Sequence, residues 1–375
     1  MKILFLQTQP CIRAFKYATG LKGRGNYEIT FGYTNKTLSE FYGMGDELFE
    51  RWVQIEKDGV GDLVSLFDSD NFDLIHSHNA PDYLTVKALD AIRYAKCSIP
   101  IIHDNHDAIT LRKTQYGKMA YSLEKIAIEE SIANKFSDAR IHVSEGLKNY
   151  ITQMYGSANG LDIVFNNFAL KELVPEKMLP KLSEREGGVH IVYEGNVDEE
   201  KAGSHYDLLD IFDEITKKGF HLHVYTPLDA SEYKKLSGRN NLLHFHGRLT
   251  PEELMKEITQ YDFGWAGFNR SKNKEHLKVT LANKVFEYIS AGLPVISFPH
   301  ETQKRFLESH RLGIVISSLD ELSGVIESEK IADIKAEVQK RRYDFTIENN
   351  IGEVEEFYQR VLENHKNKNS HPPLP

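Results

Sequence analysis

Cysteine is nearly absent from this chain. Cys11 and Cys97 are the only two among 375 residues. Two cysteines at this separation form neither a disulfide framework nor a CxxC metal site, so we expect a protein of a reducing compartment, the cytoplasm. An excess of basic residues is also missing, because 46 Lys and Arg stand against 55 Asp and Glu, which gives a net charge of −9. This balance argues against a nucleic-acid partner held by a basic surface.

Long apolar runs are missing as well. The first apolar run, residues 3–6, is soon followed by polar residues and Pro10. It is too short for a signal peptide and far too short to cross a bilayer, so we expect at most peripheral contact with a membrane. Neither half of the chain has a G-x-G-x-x-G sequence after its first predicted strand, which counts against a dinucleotide-dependent dehydrogenase.

The chain does contain a repeated alternation of short β-rich runs and helical patterns. Its length suggests two domains, and 41% hydrophobic with 27% charged residues is a globular composition. Such alternation predicts βαβ units, and hence an α/β fold with two Rossmann-like, doubly wound parallel sheets. The predicted strands are residues 2–7, 28–33, 73–76, 99–102, 140–143 and 162–165, then 189–193, 221–225, 242–245, 263–266, 294–298 and 313–316.

The alternation is interrupted once, at residues 169–188, where two prolines and a glycine pair predict a linker. We therefore predict an N-terminal domain over residues 1–168 and a C-terminal domain over residues 169–350. Residues 351–365 have an amphipathic pattern and are expected to form a helix that crosses back onto the N-terminal domain. The polar residues 366–375 are expected to be a disordered tail.

The most informative stretch is residues 283–296, N-K-V-F-E-Y-I-S-A-G-L-P-V-I. It predicts a short helix closed by Gly292 and a strand that starts at Pro294. Glu287 falls in the last turn of this helix, where the helix dipole disfavours an anion by at most about 1 kcal/mol. A carboxylate in such a place is suited to accept hydrogen bonds from the two hydroxyls of a vicinal diol. The alternative is a surface glutamate at an ordinary helix-to-strand corner.

This stretch resembles the donor-binding signature of the GT-B-fold retaining glycosyltransferases of family 4 (glycosyl transferases group 1), roughly K-x-x-E-Y-x-A-x-G-x-P-V. The resemblance implies two domains that face a central cleft, with the nucleotide sugar bound by the C-terminal domain. It implies donor-binding roles for Lys284, Glu287 and Tyr288, with both ribose hydroxyls held by Glu287. Many family members carry another glutamate eight positions earlier, where this chain has Val279.

A second candidate donor contact follows the first predicted strand of the C-terminal domain. Glycine at Gly195 lets the backbone approach a pyrophosphate, and a lysine supplies the charge that a departing diphosphate needs. The family's G-R-x4-K-G pattern maps onto Gly195, Asn196 and Lys201, and implies that Lys201 is catalytic. Since Asn196 replaces the arginine, the positive charge must come from Lys201 and Lys284. By themselves these residues also fit a plain β-turn.

Polar residues follow the predicted strands of the N-terminal domain too. The sequence His-Asp-Asn-His-Asp at residues 103–107 fits a metal site, a loop whose side chains satisfy its own backbone, or the family's sugar-pocket segment, in which His106 contacts the transferred sugar as a catalytic residue. His78 either faces the acceptor or packs within its loop. Arg13, in the first βα turn, either offers a fork to a phosphate or acidic acceptor, or is a solvated residue at a helix start.

The resemblance implies a glycosyltransferase that moves a sugar from a nucleotide-diphosphate sugar, with a UDP-sugar favoured, and retains its configuration. The acceptor is a glycan, a lipid-linked molecule or a protein. No cofactor and no metal ion are implied, because cationic side chains and helix N-termini stabilise the leaving diphosphate. Two alternatives remain: a non-catalytic GT-B partner subunit, which Val279 and Asn196 favour, and a nucleotide-sugar epimerase on the same fold.

Overall fold

The computed structural model describes residues 1–35, 46–56, 59–114, 122–158, 160–200 and 202–370. The chain divides into two compact units. Unit 1 comprises Met1–Thr110, Gln115–Asn166 and Asn350–Pro375, and unit 2 comprises Leu111–Thr114 and Asn167–Asn349. The predicted boundaries differ mainly at residues 111–114. These belong to unit 2 because the backbone N–H groups of Lys113 and Thr114 donate to Asn273 Oδ1 at 2.9 and 3.2 Å.

Each unit is built on one parallel β-sheet. The strands of unit 1 are β1 (Lys2–Leu6), β2 (Glu28–Tyr33), β3 (Arg51–Gln54), β4 (Leu74–His78), β5 (Ile101–Asn105), β6 (Ala139–His142) and β7 (Asp162–Val164). Those of unit 2 are β8 (His190–Glu194), β9 (His221–Tyr225), β10 (Leu243–Gly247), β11 (Phe263–Trp265), β12 (Val295–Ser297) and β13 (Gly313–Val315). The spatial orders are β3-β2-β1-β4-β5-β6-β7 and β10-β9-β8-β11-β12-β13. Both orders reverse beside the first strand, so the predicted doubly wound α/β fold is confirmed.

Helices connect these strands, as parallel neighbours require. In chain order they are α1 (Ile12–Arg24), α2 (Val60–Ser69), α3 (Tyr83–Ala95), α4 (Leu123–Phe136), α5 (Glu145–Tyr155), α6 (Leu182–Glu186), α7 (Leu209–Lys217), α8 (Ser231–Ser237), α9 (Pro251–Glu257), α10 (Lys274–Val279), α11 (Asn283–Ser290), α12 (Glu301–His310), α13 (Leu322–Ile326), α14 (Lys330–Arg341), α15 (Ile347–Asn350) and α16 (Gly352–Ser370). Within the described ranges, no helix combines the length and the apolar character needed to cross a membrane.

Two features of the sequence-based description need correction. Strand β3 was not predicted, because it lies at the sheet edge and its two end residues, Arg51 and Gln54, are exposed. Residues 169–188 are not a free linker. The N–H of Ala169 donates to Phe345 O at 3.1 Å, and the carbonyl of Ala169 accepts from Ile347 at 2.8 Å, so this segment begins anchored within unit 2.

Helix α16 packs within unit 1 through the apolar stripe seen in the sequence. Val354, Phe357, Tyr358 and Val361 are at most 1% exposed. The Tyr358 hydroxyl lies 2.6 Å from His76 Nδ1 on β4. The helix runs to Ser370, so the predicted disordered tail starts too early, and residues 371–375 lie outside the described part of the chain.

Five histidines form a stacked row across β8, β9 and β10. His190 Nε2 lies 3.0 Å from the Gly187 carbonyl, so this nitrogen donates. His223 Nε2 lies 2.9 Å from His190 Nδ1, and His246 Nε2 lies 2.9 Å from His223 Nδ1. His221 Nδ1 and His244 Nε2 are 3.0 Å apart. Burial and the neighbouring imidazoles lower the pKa of His223 to about 2, so the centre of the row is neutral.

We expect helix α16 to be required for a stable unit 1. Burying four large apolar side chains contributes roughly 1.5–3 kcal/mol each, so a chain that ends at Asn350 should lose on the order of 6 kcal/mol or more of unfolding free energy. Tyr358→Phe, which removes the partner of His76, should cost about 1–3 kcal/mol. Removing only residues 366–375 is the matched control and should change stability by less than about 0.5 kcal/mol. Urea unfolding measures all three, and a loss as large for the short truncation as for the long one would contradict this packing.

Candidate functional site

The candidate donor site of unit 2 is built at the carboxyl end of β8, where the sheet order reverses. The strand ends in Glu194 and turns at Gly195, whose N–H donates to Tyr225 O at 3.0 Å. Gly195 has a φ of +125°, a conformation that residues with a side chain rarely adopt. A Cβ atom at this position would also lie 3.0 Å from Lys284 Nζ. Glycine is therefore needed here both for the turn and for the approach of the lysine.

Lys284 is the central side chain of this site. It lies in the first turn of α11, is 7% exposed, and has no hydrogen-bond partner for Nζ among the described residues. The ammonium instead lies over the Tyr193 ring, 3.7 Å from its centroid, and 5.2 Å from that of Phe268. Burial lowers the pKa of Lys284 to about 8, although the charges of Glu194 and Glu287 act in the opposite direction.

Glu287 lies three residues after Lys284 on the same helix, so the two side chains share one helix face. Its side chain is half-buried, so part of it remains accessible. The K-x-x-E spacing thus places a cation and a carboxylate side by side, at about 5–6 Å between Cβ atoms. That arrangement can bind a ligand that carries an anion next to a pair of hydroxyls.

Tyr288, predicted as a donor contact, has a different environment. It is fully buried, and its ring packs on Gly264 so tightly that a Cβ atom there would lie 2.2 Å from it. Its hydroxyl accepts from Glu194 N at 2.9 Å and lies 3.3 Å from Trp265 O. Its hydroxyl is thus used within the protein and joins α11 to the end of β8, and the donor contact of Tyr288 stays a prediction.

The remaining predicted donor contacts are more peripheral. Asn196 is exposed, and its carbonyl accepts a hydrogen bond from the Tyr193 hydroxyl. Lys201 lies outside the described residues, so its predicted catalytic role stays a prediction. The loop just after it is held firmly, because Gly203 N donates to Asp207 Oδ2 at 2.7 Å and Gly203 O accepts from Lys272 N at 3.2 Å.

The position of the missing family glutamate, Val279, ends α10. Glu275 on the same helix is exposed and forms a 2.7 Å ion pair with Lys278. His276 is buried, and its Nε2 lies 3.4 Å from both Arg112 Nη2 and Thr280 Oγ1. Both side chains therefore have structural partners of their own.

The predicted residues of unit 1 gather around Asp104, a buried carboxylate on β5. Arg13 on α1 donates to both of its oxygens, from Nε at 2.9 Å and from Nη2 at 3.0 Å, and also to the Tyr17 hydroxyl at 2.7 Å. Arg13 is 3% exposed, so its fork serves this carboxylate. Arg13 is therefore not a solvated residue at the helix start, and its contact with a phosphate or acidic acceptor stays a prediction.

His78 and His106 lie on the same side of the sheet as Asp104. His78 Nδ1 is 3.3 Å from Asp104 Oδ2 and 3.2 Å from His106 Nε2. It is 1% exposed, so it packs against His106 inside the unit rather than facing an acceptor. Burial and the neighbouring His76 hold the pKa of His78 well below its usual range.

His106 is the accessible member of this group, with 14% of its side chain exposed. Burial acts to lower its pKa, but the Asp104 carboxylate and Cys11 outweigh burial and raise the pKa to about 9. Its backbone N–H donates to Asn79 Oδ1 at 2.7 Å, which fixes the loop after β5. His106 is therefore a fixed, positively charged imidazole at the carboxyl edge of the sheet.

A metal site among the described residues of this region would have to use His76, His78 and Asp104. His76, His78 and Asp104 each offer one ligand atom, and these atoms lie within 4.8 Å of one another. However, Arg13 occupies both oxygens of Asp104, and His76 Nδ1 is 2.6 Å from Tyr358. A guanidinium this close repels a metal cation, so the arrangement favours a hydrogen-bonded network. His103 lies apart, 3.0 Å from Asp82 and 3.0 Å from Thr85, and is structural.

The central position of Asp104 and the place of Cys11 in this group were not predicted. Asp104 was part of the candidate segment 103–107, for which a metal site, a loop and a sugar pocket were all open, yet it belongs to β5, where a charged residue inside a buried strand is itself a signal. Cys11 has its Sγ 3.8 Å from His106 Nδ1. No sequence pattern connects these two positions, because they meet only through the pairing of β1, β4 and β5.

Comparison with known proteins gives a family match for part of the chain and a fold match for nearly all of it. Residues 191–345 match the family described as Glucosyltransferase 3-like, C-terminal domain. Glucosyltransferase 3 of Streptococcus gordonii is 24% identical over 126 residues, which are 32% of this chain and 38% of that protein. The matched region is thus well under half of this curated relative.

Solved structures match over nearly the whole chain. Anabaena HepE in complex with UDP, and again in complex with UDP-glucose, covers 98% of this chain and 100% of its own at 17% identity, with a TM-score of 0.67. The fold is GT-B. A glycosyltransferase from Rickettsia africae covers 97% and 99% of the two chains at 12% identity, with a TM-score of 0.70. The predicted resemblance to GT-B glycosyltransferases is confirmed, and membership of family 4 stays a prediction.

Gly195 offers a direct test of this part of the GT-B fold. We expect Gly195→Ala to cost about 2–3 kcal/mol of unfolding free energy, because the backbone is strained and the new Cβ meets Lys284 Nζ. Gly219 is the matched control, since it also has a positive φ, +89°, but a Cβ atom added there would have no neighbour within 4 Å. Gly219→Ala should cost only about 1 kcal/mol, the backbone contribution alone. Equal losses in urea unfolding would show that the space beside Gly195 does not matter.

Proposed function

We propose that this protein is a glycosyltransferase whose unit 2 binds a UDP-sugar, with Lys284 on the diphosphate and Glu287 on the ribose. One observation carries the proposal: Lys284 Nζ is buried beside the turn at Gly195 and has no hydrogen-bond partner among the described residues. The cost of that burial, the position of Glu287 and the comparisons all support it.

Burial of the Lys284 ammonium is costly without an anion. Removing an ammonium from water costs several kcal/mol unless an anion and hydrogen-bond acceptors replace the lost water. Aromatic rings return only part of that cost, about 2 kcal/mol for a desolvated contact such as the one with Tyr193. The charges of Glu194 and Glu287 act on this ammonium, but among the described residues no acceptor forms a hydrogen bond with it. A diphosphate carries such acceptor oxygens together with further negative charge. Its binding would also raise the lowered pKa of Lys284 and keep the side chain charged.

The neighbouring carboxylate is placed to bind the next part of the same ligand. Lys284 and Glu287 lie about one helical turn apart on the same face, and ribose is joined directly to the diphosphate in a nucleotide sugar. A lysine that holds the diphosphate therefore leaves Glu287 near the ribose hydroxyls, which donate to a carboxylate. Gly195 adds a close backbone approach at the carboxyl end of β8, where doubly wound sheets bind their ligands.

The comparisons favour uridine and glucose as the first donor components to test. HepE has been solved with UDP and with UDP-glucose, and the matching family is named for a glucosyltransferase. We therefore propose UDP-glucose as the first donor to assay, with retention of configuration as the family 4 resemblance implies. The same resemblance supports His106 as a contact of the transferred sugar. The acceptor is proposed to be a glycan, a lipid-linked molecule or a protein.

We further propose that transfer needs no metal ion, because Lys284, with Lys201 as a second candidate, supplies the charge that stabilises the leaving diphosphate. Addition of EDTA should leave the rate unchanged within error. A strict requirement for a divalent cation would contradict this part of the proposal and return attention to the His76, His78 and Asp104 group.

The activity test measures UDP released from UDP-glucose in the presence of a panel of glycan acceptors. Lys284→Met should lower the rate about 10²-fold or more, the loss expected when one preorganised charge stabiliser is removed. Glu287→Gln should weaken donor binding by on the order of 1.5–3 kcal/mol. Lys278→Met and Glu275→Gln are matched controls, because these two residues form an exposed pair on neighbouring α10, and they should retain full activity.

The same assay separates the alternatives. An epimerase would change the sugar of the nucleotide without accumulating free UDP. A non-catalytic partner subunit would bind UDP without releasing it from UDP-glucose. If Lys284→Met kept the wild-type rate, the assignment of Lys284 to the diphosphate would be wrong.

A further inference from the structure

Cys11 has no role in the proposed donor site, yet its surroundings are those of a reactive thiol. It ends the loop that connects β1 to α1 and is only partly buried. Its Sγ lies 3.8 Å from His106 Nδ1, and the other ring nitrogen of His106 lies 3.5 Å from Asp104 Oδ2. The imidazole of His106 thus lies between the thiol and the carboxylate. In enzymes with an activated nucleophile, a base contacts the nucleophile in the same way and is oriented by a third group.

Two further contacts favour the thiolate form of Cys11. The Gln7 amide forms two hydrogen bonds with Cys11: its Nε2 donates to Sγ at 3.2 Å, and its Oε1 accepts from Cys11 N at 3.1 Å. Cys11 is also the N-cap of α1, a helix of 13 residues, whose positive end stabilises a nearby anion. The amide donor, the helix end and the charged imidazole all act on the same sulfur atom.

The two cysteines of the chain differ in acidity. Burial acts to raise the pKa of the Cys11 thiol, but the charge and hydrogen bond of His106 outweigh burial and lower the pKa to about 7. For Cys97, burial raises the pKa. At neutral pH a large part of Cys11 is therefore thiolate, while Cys97 is almost entirely protonated.

The fold keeps the two cysteines apart. Cys97 precedes β5, and His106, which contacts Cys11, follows it. The two ends of β5 are on the order of 15 Å apart, and Cys97 and Cys11 lie at opposite ends. A disulfide needs Cα atoms within about 7 Å, so these two cysteines cannot form one. A disulfide of Cys11 in a folded chain therefore requires a sulfur atom from another molecule.

We propose that Cys11 is a site of reversible S-thiolation by small disulfides. The Cys11 thiolate attacks one sulfur of the disulfide, a new S–S bond forms, and the other half leaves as a thiolate that takes a proton from solvent. Cys11 is oxidised and the departing half is reduced, so electrons balance. With no second thiol in reach the mixed disulfide persists until an external thiol reverses the exchange. Because His106 would be covered, S-thiolation should also inhibit sugar transfer, a consequence that rests on the proposed function.

The test uses the full chain with oxidised glutathione at about pH 7, and peptide mass spectrometry reads the occupancy of each cysteine. Cys11 should react at least about 10-fold faster than Cys97, and dithiothreitol should reverse the modification. Iodoacetamide labelling across a pH series should give a midpoint near 7 for Cys11. Both readouts are independent of transferase activity, so they remain informative if the proposed function fails.

His106→Gln should move the labelling midpoint of Cys11 upward, towards the ordinary value of about 8.5, and slow its reaction about 10-fold at neutral pH. His365→Gln removes an imidazole elsewhere in unit 1 and should leave the reaction rate of Cys11 unchanged. Cys97→Ser should leave it unchanged as well. Equal rates at Cys11 and Cys97 in the wild type, or an unchanged midpoint in folded His106→Gln, would overturn the proposal.

Discussion

A buried ammonium group needs an anion, and much of unit 2 is arranged to keep Lys284 where an anion can reach it. Tyr288 joins α11 to the end of β8 through the Glu194 N–H, and it fits only because residue 264 is glycine. That junction places Lys284 against the turn at Gly195, where an added Cβ atom would lie 3.0 Å from Nζ. The donor-site proposal depends on this chain of contacts, since each member fixes the position of the next.

Unit 1 is organised around the opposite charge. Asp104 is buried among Arg13, His76, His78 and His106, and burial acts to raise its pKa, whereas the charges of Arg13 and His106 hold the pKa well below its usual range. Arg13 comes from the first helix and the histidines from the ends of two strands, so one carboxylate connects three elements of the fold. The consequence is that His106 is held as an imidazolium at the carboxyl edge of the sheet.

The fold was largely predictable because its causes are local. Alternating apolar runs predicted twelve strands, and the short apolar runs of β2 and β9 matched to the residue, whereas the exposed edge strand β3 gave too weak a pattern. The K-x-x-E spacing around Glu287 was equally readable, since it depends on helix geometry alone.

The partners of Asp104 were not predictable, because strand order decides which loop residues meet. The internal partners of Tyr288 were hidden for a related reason: a signature identifies a position without telling whether its side chain contacts ligand or supports the residue that does.

Calorimetry with UDP and with uridine, on the wild type and on Lys284→Met, tests the role of the buried lysine most directly. Uridine keeps the ribose that Glu287 would bind but lacks the diphosphate assigned to Lys284. We expect Lys284→Met to weaken UDP binding by about 2 kcal/mol or more, roughly 30-fold, and to leave uridine binding unchanged. Equal UDP affinities in the two proteins, or the same loss for uridine as for UDP, would contradict the claim that the buried lysine is the diphosphate anchor.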